Sequence, residues 1–314
     1  MDSIDVKAAI MGSIVADALG VPYEFKSKED MKDNPVTTMT GYGTYNQEPG
    51  TWSDDSSFII ATMDSLLNDI NYDDMMRKFS LYYFEDAYTP DNHMFDIGYT
   101  TRRAINNYAN KRSALECGCD GEHDNGNGSL MRIIPIILYL YDKQLSADEK
   151  RDIIYNVSAL THSHIISKAS CYIYNIIIEE ILSNKDKLDF KKILENSLDK
   201  SREYIISQNL EDSFDMIISG KLLSSSDDDI YSKGYVVDSL NLAIYTCYHT
   251  DNFKESVLRA VNYGGDTDTN ALITAGLSAI YYGYDDIPKE WIDTLKRKEY
   301  LFEMCDKFSD TINK

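Results

Sequence analysis

The chain has 314 residues, and its 43% hydrophobic fraction is typical of a folded protein that buries a large core in one or two domains. Its 31 Lys and Arg residues are scattered among 52 Asp and Glu, for a net charge of −21, which excludes the clustered positive charge needed for sequence-independent binding to nucleic acids. Five cysteines without a C-x-x-C pair argue against a disulfide framework and a zinc site, so a reducing cytoplasm is the expected location.

Helical periodicity begins near the start of the chain and continues to its end. Val6, Ile10 and Ile14 recur at intervals of four, and similar apolar faces follow at 165–176 and 236–247. Alternating strand patterns and internal repeats are missing. These features predict an all-α fold, with many helices packed orthogonally in a single compact domain over residues 1–314.

Other segments predict connections and contacts between the helices. Residues 26–50 and 111–128 read as long loops, and the S-S-S-D-D-D stretch at 224–229 as a solvated turn or mobile tip. A stripe of alanines at 271–279 would let a neighbouring helix approach closely. The longest apolar run, at 133–141, is too short to span a bilayer, so no membrane association is expected.

A cluster of hydroxyl and carboxylate side chains opens a predicted helix in G-T-W-S-D-D-S-S-F. Ser53, Asp54 and Asp55 precede an apolar-periodic segment. Ser53 is a suitable N-cap, because its oxygen can accept a hydrogen bond from a free N–H group of the first turn. Capping needs only one such residue, so two adjacent carboxylates remain to be explained.

A second cluster lies towards the other end of the chain, in V-N-Y-G-G-D-T-D-T-N. Asp266, Asp268 and Thr269 again begin a predicted helix, directly after Gly264 and Gly265. Carboxylates from the two clusters would repel each other if they met in space, unless cations lay between them. Carboxylate and hydroxyl oxygens suit Mg²⁺ or Ca²⁺, and neither cluster has the layout of an EF-hand loop. The two clusters together therefore indicate a shared two-metal hydrolase site.

Further polar motifs stand between these clusters. The stretch H-D-N-G-N-G-S indicates either two tight turns or a nest of backbone N–H groups suited to a phosphate. His162, in L-T-H-S-H, lacks the partners of a zinc site at a useful spacing, so a structural or ligand-contacting role is favoured. From spacing alone, Glu24 after the first predicted helix would be an ordinary solvated glutamate.

Several stretches taken together resemble the motifs of the ADP-ribosylglycohydrolase family, in the same order. They include G-S-I-V-A-D-A-L-G-V-P-Y-E-F, G-T-W-S-D-D-S-S-F, F-D-I-G-Y-T-T-R-R-A-I, G-N-G-S-L-M-R-I-I-P-I and G-G-D-T-D-T. The resemblance covers about residues 7–290. It implies an all-α fold with a cleft for two Mg²⁺ ions, or Mn²⁺ in some members. The implied reaction is hydrolysis of the glycosidic bond joining ADP-ribose to a protein side chain or a small acceptor.

The resemblance also implies roles for particular residues. By matching motif, the metal ligands would be Ser53, Asp54, Asp55, Asp266, Asp268 and Thr269; the catalytic residues Glu24, Asp55 and Asp96; and the substrate-binding residues Gly126, Asn127, Gly128, Ser129, His162, Gly264 and Gly265. The family more often has Thr in place of Ser53, and Ser keeps the hydroxyl oxygen.

Two alternatives remain open at this point. One is a catalytically silent ADP-ribose-binding or structural member of the same fold, against which the complete set of ligands argues. The other is a metal-dependent phosphohydrolase, which the lack of paired metal-binding histidines disfavours. The expected partner is an ADP-ribosylated protein or an ADP-ribose-containing small molecule, bound by a monomer. The acceptor, whether arginine, serine, an acetyl ester or a nucleic-acid end, is not readable from the sequence.

Overall fold

Helices form almost all of the regular structure, as predicted. The computed structural model describes residues 2–313, and within them the backbone forms fifteen α-helices and isolated bridges without longer strands. The α-helices are α1 Ser3–Gly20, α2 Lys28–Asp33, α3 Asp54–Leu66, α4 Tyr72–Glu85, α5 Tyr99–Ala109, α6 Ile134–Tyr141, α7 Ala147–Ala159, α8 Ile165–Asn184, α9 Phe190–Ser207, α10 Asp215–Ile218, α11 Val236–Tyr248, α12 Phe253–Val261, α13 Thr267–Tyr282, α14 Lys289–Thr294 and α15 Lys298–Ile312. Short 3₁₀ helices occupy Val21–Tyr23, Gly43–Tyr45, Ala114–Glu116, Asn127–Ser129, Glu211–Ser213, Leu222–Ser224, Asp227–Asp229 and Tyr284–Asp286. The helices surround one continuous hydrophobic core.

Two buried helices, α1 and α13, pack closely against each other in this core. A Cβ atom on Gly12 of α1 would lie 2.7 Å from the Cβ of Ala279, and one on Gly20 would lie 2.4 Å from the Cα of Asp268. The close helix approach predicted from the small residues at 271–279 is therefore confirmed. It sets the C-terminal end of α1 against the N-terminal end of α13, where the second acidic cluster lies.

The segment Asp5–Tyr23, which is almost all of α1, is long and apolar enough to cross a membrane, although the sequence analysis did not single it out. Within the fold, however, 89% of its most apolar window is buried. Its apolar composition is therefore the composition of a core helix.

The predicted loop at 26–50 contains a short helix, α2. Its N-terminus is closed by a capping box, in which the Ser27 hydroxyl accepts from the Asp30 N–H at 3.1 Å and the Asp30 carboxylate accepts from the Ser27 N–H at 3.1 Å. The helix has a single buried apolar residue, Met31. A helix this short gives too little periodicity to be read from the sequence.

The acidic stretch at 224–229 is not a mobile tip. One carboxylate oxygen of Asp227 accepts hydrogen bonds from Tyr245 at 2.9 Å, Tyr263 at 2.8 Å and Arg259 at 2.7 Å. Burial would raise the pKa of Asp227, but these three donors outweigh it and lower the pKa to about 2. The segment is held by donors from α11 and α12 and from the turn after α12, which the local sequence does not reveal.

Candidate active site

The N-terminal ends of α3, α5 and α13 meet at a cavity of about 220 Å³. Six of the side chains that line it are carboxylates, and the rest of the wall is hydroxyl groups, glycine backbone, one asparagine, one histidine and aromatic and aliphatic carbon. The lining residues are Glu24, Asp54, Asp55, Asp96, Gly98, Tyr99, Thr100, Thr101, Gly126, Asn127, Gly128, Met131, His162, Gly234, Asp266, Asp268 and Thr269. Both acidic clusters predicted from the sequence thus face one space.

A buried carboxylate of α1 fixes the start of α3. Both oxygens of Asp17 lie 3.1 Å from the backbone nitrogen of Ser53, and one also accepts from the N–H and the hydroxyl of Ser56. Burial raises the pKa of Asp17 to about 6, while the hydrogen bonds from Ser56 and Ser53 oppose this rise. Asp17 was not predicted from the sequence. The available signal was a carboxylate inside an apolar helix, where an unpaired charge is costly.

Ser53 caps α3, and the capping aims the first turn at the cavity. The Ser53 hydroxyl accepts a hydrogen bond from the N–H of Asp55 at 3.2 Å. Asp54 and Asp55 follow in the first turn, both buried. One oxygen of Asp54 lies 3.4 Å from the backbone nitrogen of Gly98, which precedes α5. Ser53 itself is not part of the cavity wall, so its role as a metal ligand stays a prediction.

Two glycines bring the loop that carries Glu24 to the start of α13. Gly264 and Gly265 have φ angles of 71° and 73°, a region that other residues rarely adopt. The N–H of Gly265 donates to the Lys26 carbonyl at 2.8 Å, and its carbonyl accepts from the Phe25 N–H at 2.7 Å. Both glycines lie outside the cavity wall. Their observed contacts position other residues, and their predicted contact with substrate stays untested.

Oxygen atoms from distant parts of the chain converge in the cavity. One carboxylate oxygen each from Glu24, Asp266 and Asp268 lies within 4.8 Å of the other two. Oδ2 of Asp55 and Oε2 of Glu24 are buried without a hydrogen-bond partner in residues 2–313. Such orphaned anionic oxygens are costly unless a cation compensates them, and an all-oxygen donor set suits a hard divalent cation. The residues present therefore fit a metal ion.

Crowding of like charges perturbs these carboxylates. Burial raises the pKa values of Asp54, Asp55 and Asp268 well above the ordinary aspartate value, and the neighbouring carboxylates raise them further. The pKa of Glu24 is raised to about 8, chiefly by burial; the nearby Tyr45 phenol opposes the rise, and neighbouring aspartates contribute to it. A bound cation would favour the charged forms again.

Tyr45 lies near two of the predicted catalytic carboxylates. Its phenol acts to lower the pKa values of Glu24 and Asp96, against the larger effect of burial. Burial raises the pKa of Tyr45, and the nearby Glu24 raises it further, so the phenol stays protonated. The Tyr45 ring packs against Phe95 with 5.1 Å between ring centres. Tyr45 was not predicted from the sequence, where the length of the 26–50 segment was the only indication.

The glycine loop at 126–128 packs against His162. Gly126 has a φ of −70°, and a Cβ atom on Gly128 would lie only 2.8 Å from Cε1 of His162. At Gly128 the missing side chain is therefore required for space. The N–H of Asn127 donates to the Gly234 carbonyl at 3.0 Å, and its side chain donates to Asp266 at 2.8 Å. Asn127 thus holds a carboxylate in place, and its backbone N–H is not free for a phosphate.

Most of the predicted site residues meet at the cavity. Thr269 lines it, and the Thr269 side chain acts to lower the pKa of Asp55, against the larger effect of burial. The Ser129 side chain lies in the core, where it accepts from the Ser158 hydroxyl at 2.9 Å. The predicted residues outside the cavity wall are Ser53, Ser129, Gly264 and Gly265.

The fold and the cavity define a class of protein. This is an all-α protein in which two helix starts present buried carboxylates to one space, with a glycine loop and a neutral histidine on its wall. Such a site can hold a divalent cation and polarise an oxygen-rich substrate.

Comparison with known proteins agrees with this description. A family model for ADP-ribosylglycohydrolase matches residues 4–314, and the chain belongs to this family. The ADP-ribosylarginine hydrolase Tri1 of Serratia proteamaculans is 28% identical over 98% of this chain and 79% of its own length. The ADP-ribosyl-(dinitrogen reductase) glycohydrolase of Rhodospirillum rubrum is 26% identical over 92% of this chain and 90% of its own length.

A solved structure supports the fold. It is a chain of an ADP-ribosylglycohydrolase-related protein complex, which superposes with a TM-score of 0.81 over 99% of both chains at 24% sequence identity. The family resemblance and the all-α fold predicted from the sequence are both confirmed.

Proposed function

We propose that the protein hydrolyses the N-glycosidic bond between ADP-ribose and an arginine side chain of a modified protein, in a reaction that depends on two Mg²⁺ ions, with Mn²⁺ as a possible substitute. The observation that carries the proposal is the meeting of Glu24, Asp266 and Asp268 with the start of α3 in one cavity. Retention of all these carboxylates argues against a catalytically silent member of the family.

The cavity residues divide into a metal-binding and a proton-transferring group. Asp54, Asp55, Asp266 and Asp268 would hold the ions, with Thr269 and Ser53 as hydroxyl ligands at their sides. When bound, the ions supply Lewis acidity and lower the pKa of a bound water.

Glu24 would accept a proton from the attacking water, with the Tyr45 phenol beside it. Asp96 would then be the acid that protonates the leaving nitrogen. Cleavage at an anomeric carbon needs both a base for water and a proton for the leaving group. Asn127, through its bond to Asp266, would keep that ligand in place during turnover.

The rest of ADP-ribose would extend into a second groove of about 820 Å³, which adjoins the cavity at Gly126 and Gly234. Tyr231 and Tyr235 line this groove and are 63% and 38% exposed. Exposed aromatic faces are suitable for stacking on an adenine ring.

Arginine is proposed as the acceptor for two reasons. One relative is named an ADP-ribosylarginine hydrolase. The cavity also concentrates negative charge, which favours a cationic guanidinium group over a neutral serine or acetyl acceptor.

The test is a hydrolysis panel with Mg²⁺ over peptides ADP-ribosylated on arginine or serine, O-acetyl-ADP-ribose and ADP-ribosylated nucleic-acid ends. Free ADP-ribose should be released fastest from arginine. Asp55→Asn should abolish release, because it removes a charged oxygen aimed into the cavity. Asp148→Asn is the matched control, since Asp148 also lies in the first turn of a helix but its side chain is 82% exposed. Faster release from another acceptor would refute the arginine assignment, and no release from any would support the silent member.

A further inference from the structure

Among residues 2–313, His162 is the only imidazole on the wall of the cavity. It is 2% exposed, and its Cε1 and Nε2 atoms face the glycine loop: a Cβ on Gly128 would lie 2.8 Å from Cε1, and one on Gly126 3.5 Å from Nε2. Its backbone is also fixed, because its N–H donates to the Ser158 carbonyl at 2.8 Å. The ring is therefore held with Nε2 at the cavity side and Nδ1 towards the protein interior.

The interior side of the ring is bonded to a hydroxyl that already has a donor. Nδ1 of His162 lies 2.9 Å from the hydroxyl of Thr161, and Nη2 of Arg132 donates to the same hydroxyl at 2.7 Å. The other Nη2 proton of Arg132 goes to the Val157 carbonyl at 3.1 Å. Arg132 and Thr161 are both fully buried.

The number of protons available in this series of hydrogen bonds determines which nitrogen of His162 carries hydrogen. A guanidinium can only donate, so Thr161 accepts from Arg132 and has one proton of its own to give. If Nδ1 carried hydrogen, Thr161 would accept twice, and its own proton would have no acceptor in a fully buried place. Leaving a buried donor unpaired is costly. Thr161 therefore donates to Nδ1, and the hydrogen of the neutral ring sits on Nε2.

The charge of Arg132 acts in the same direction. Burial, and to a smaller extent the nearby guanidinium, lowers the pKa of His162 to about 3, so the ring stays neutral. Arg132 itself has no carboxylate partner among its hydrogen bonds in residues 2–313; it packs over the Phe79 ring at 4.5 Å. Its Nε and Nη1 are buried without partners. Such a costly residue is consistent with a role in the site beside it.

We propose that Arg132 and Thr161 are positioning residues that hold His162 as its Nε2–H tautomer, so that Nε2–H donates a hydrogen bond to an anionic oxygen of the bound ligand next to the glycine loop. The identity of that ligand as ADP-ribose rests on the proposed function. The tautomer itself does not, and it can be measured in the ligand-free protein.

The experiment begins with the whole protein labelled with ¹⁵N-histidine, in long-range ¹H–¹⁵N correlation spectra at neutral pH. The chain has five histidines, and His162→Gln identifies the signal by its loss. The expected pattern for His162 is a neutral ring protonated at Nε2, with a hydrogen-bonded Nδ1. A ring protonated at Nδ1, or at both nitrogens, would overturn the proposal without bearing on the enzymatic reaction.

Thr161→Val and Thr161→Ser form a matched pair, since both keep a similar shape but only Ser keeps the hydroxyl. In Thr161→Val the Nδ1 resonance should move to the position of an unbonded nitrogen, and the affinity for ADP-ribose measured by calorimetry should fall about tenfold, the value of one well-placed hydrogen bond. Thr161→Ser should restore both. If Thr161→Val left both the Nδ1 resonance and the affinity for ADP-ribose unchanged, Thr161 would not be a positioning residue for His162.

Circular dichroism shows whether Thr161→Val folds. If this variant does not fold, the tautomer of His162 measured in the wild-type protein tests the proposal by itself. If the wild-type protein shows the Nε2–H tautomer but binds no ADP-ribose, the proposed function fails and the tautomer assignment stands.

Discussion

Removing divalent cations should destabilise the protein, and the structure indicates by how much. Without a cation the cavity holds six carboxylates, two of which have buried oxygens with no partner in residues 2–313. The folded state then has to keep protons on carboxylates whose pKa values are raised by burial, or to bear their mutual repulsion. Mg²⁺ binds only the folded site, so it should stabilise the native state by mass action.

The size of the effect follows from two quantities. A ligand present at 100 times its Kd, binding only the native state, adds about 2.7 kcal/mol. The entropy of unfolding is about 2.1 cal/mol/K per residue, which gives roughly 0.7 kcal/mol/K for 314 residues. The ratio predicts that saturating Mg²⁺ raises the melting temperature by about 4 °C per site over the same protein in EDTA.

The assay is a thermal melt followed by circular dichroism, with and without Mg²⁺, on wild type and on Asp268→Asn. Asp268 accepts from the N–H of Thr269 at 2.9 Å, a bond that an asparagine oxygen can keep. In EDTA the variant should melt at or above the wild-type temperature, because it removes a buried charge. Adding Mg²⁺ should raise the melting temperature of this variant much less than that of the wild type. Asp148→Asn, exposed at another helix start, should respond like the wild type.

Two outcomes of the melting experiment would refute the metal site. If Mg²⁺ raised the melting temperatures of wild type and Asp268→Asn equally, the ion would bind elsewhere. If wild type showed no Mg²⁺ dependence, and kept its activity in excess EDTA after dialysis, the carboxylates would serve as caps and not as ligands.

Three further predictions concern single residues. In metal-free protein the folded pKa of Glu24, about 8, lies above its ordinary value of 4.5, so the contribution of Glu24 to stability is complete below pH 4.5 and is lost as the pH rises through 8. The melting temperature in EDTA should therefore fall between about pH 5 and pH 8, and it should fall less in Glu24→Gln. A melting temperature that rises over this interval would contradict the prediction. With Mg²⁺, Glu24→Gln should lower kcat by roughly 10²–10⁴ while calorimetry shows ADP-ribose affinity changed far less; lost binding with a near-normal single-turnover rate per bound complex would make Glu24 a supporting residue. Gly128→Ala should lower the free energy of unfolding by about 1–3 kcal/mol through overpacking, because its Cβ would lie 2.8 Å from the fixed His162 ring. Gly126→Ala, whose Cβ would lie 3.5 Å from the same ring, should melt close to the wild-type temperature. Equal melting temperatures for the two variants would show that the His162 ring moves to make room.

Local patterns in the sequence were sufficient for the fold class and for most of the site. Apolar residues repeating at helical intervals indicate a buried helix face, and the three segments identified by this pattern lie in α1, α8 and α11. The helix start at Ser53 was readable because capping depends on neighbours in the chain. The meeting of the clusters at Asp54 and Asp266 in one cavity was readable, because two groups of like charges at helix starts suggested a shared site with compensating cations.

Contacts between distant residues were not readable, because the path of the chain decides them. Asp17 holds the start of α3 from α1, and Tyr45 reaches both Glu24 and Asp96 from a 3₁₀ turn. The contact between Asn127 and Asp266 was hidden for the same reason: the local sequence left tight turns and a phosphate nest open, and only the fold places Asp266 within hydrogen-bond distance.

The tautomer of His162 is the clearest case of what only the tertiary structure decides. Thr161 is its neighbour in sequence, yet the direction of their hydrogen bond depends on Arg132, which packs against them from another segment. A hydroxyl donates or accepts according to its other partners, and those partners are set by packing. Helix formation and capping depend on a few consecutive residues, whereas the protonation and orientation of buried groups depend on everything that folding brings next to them.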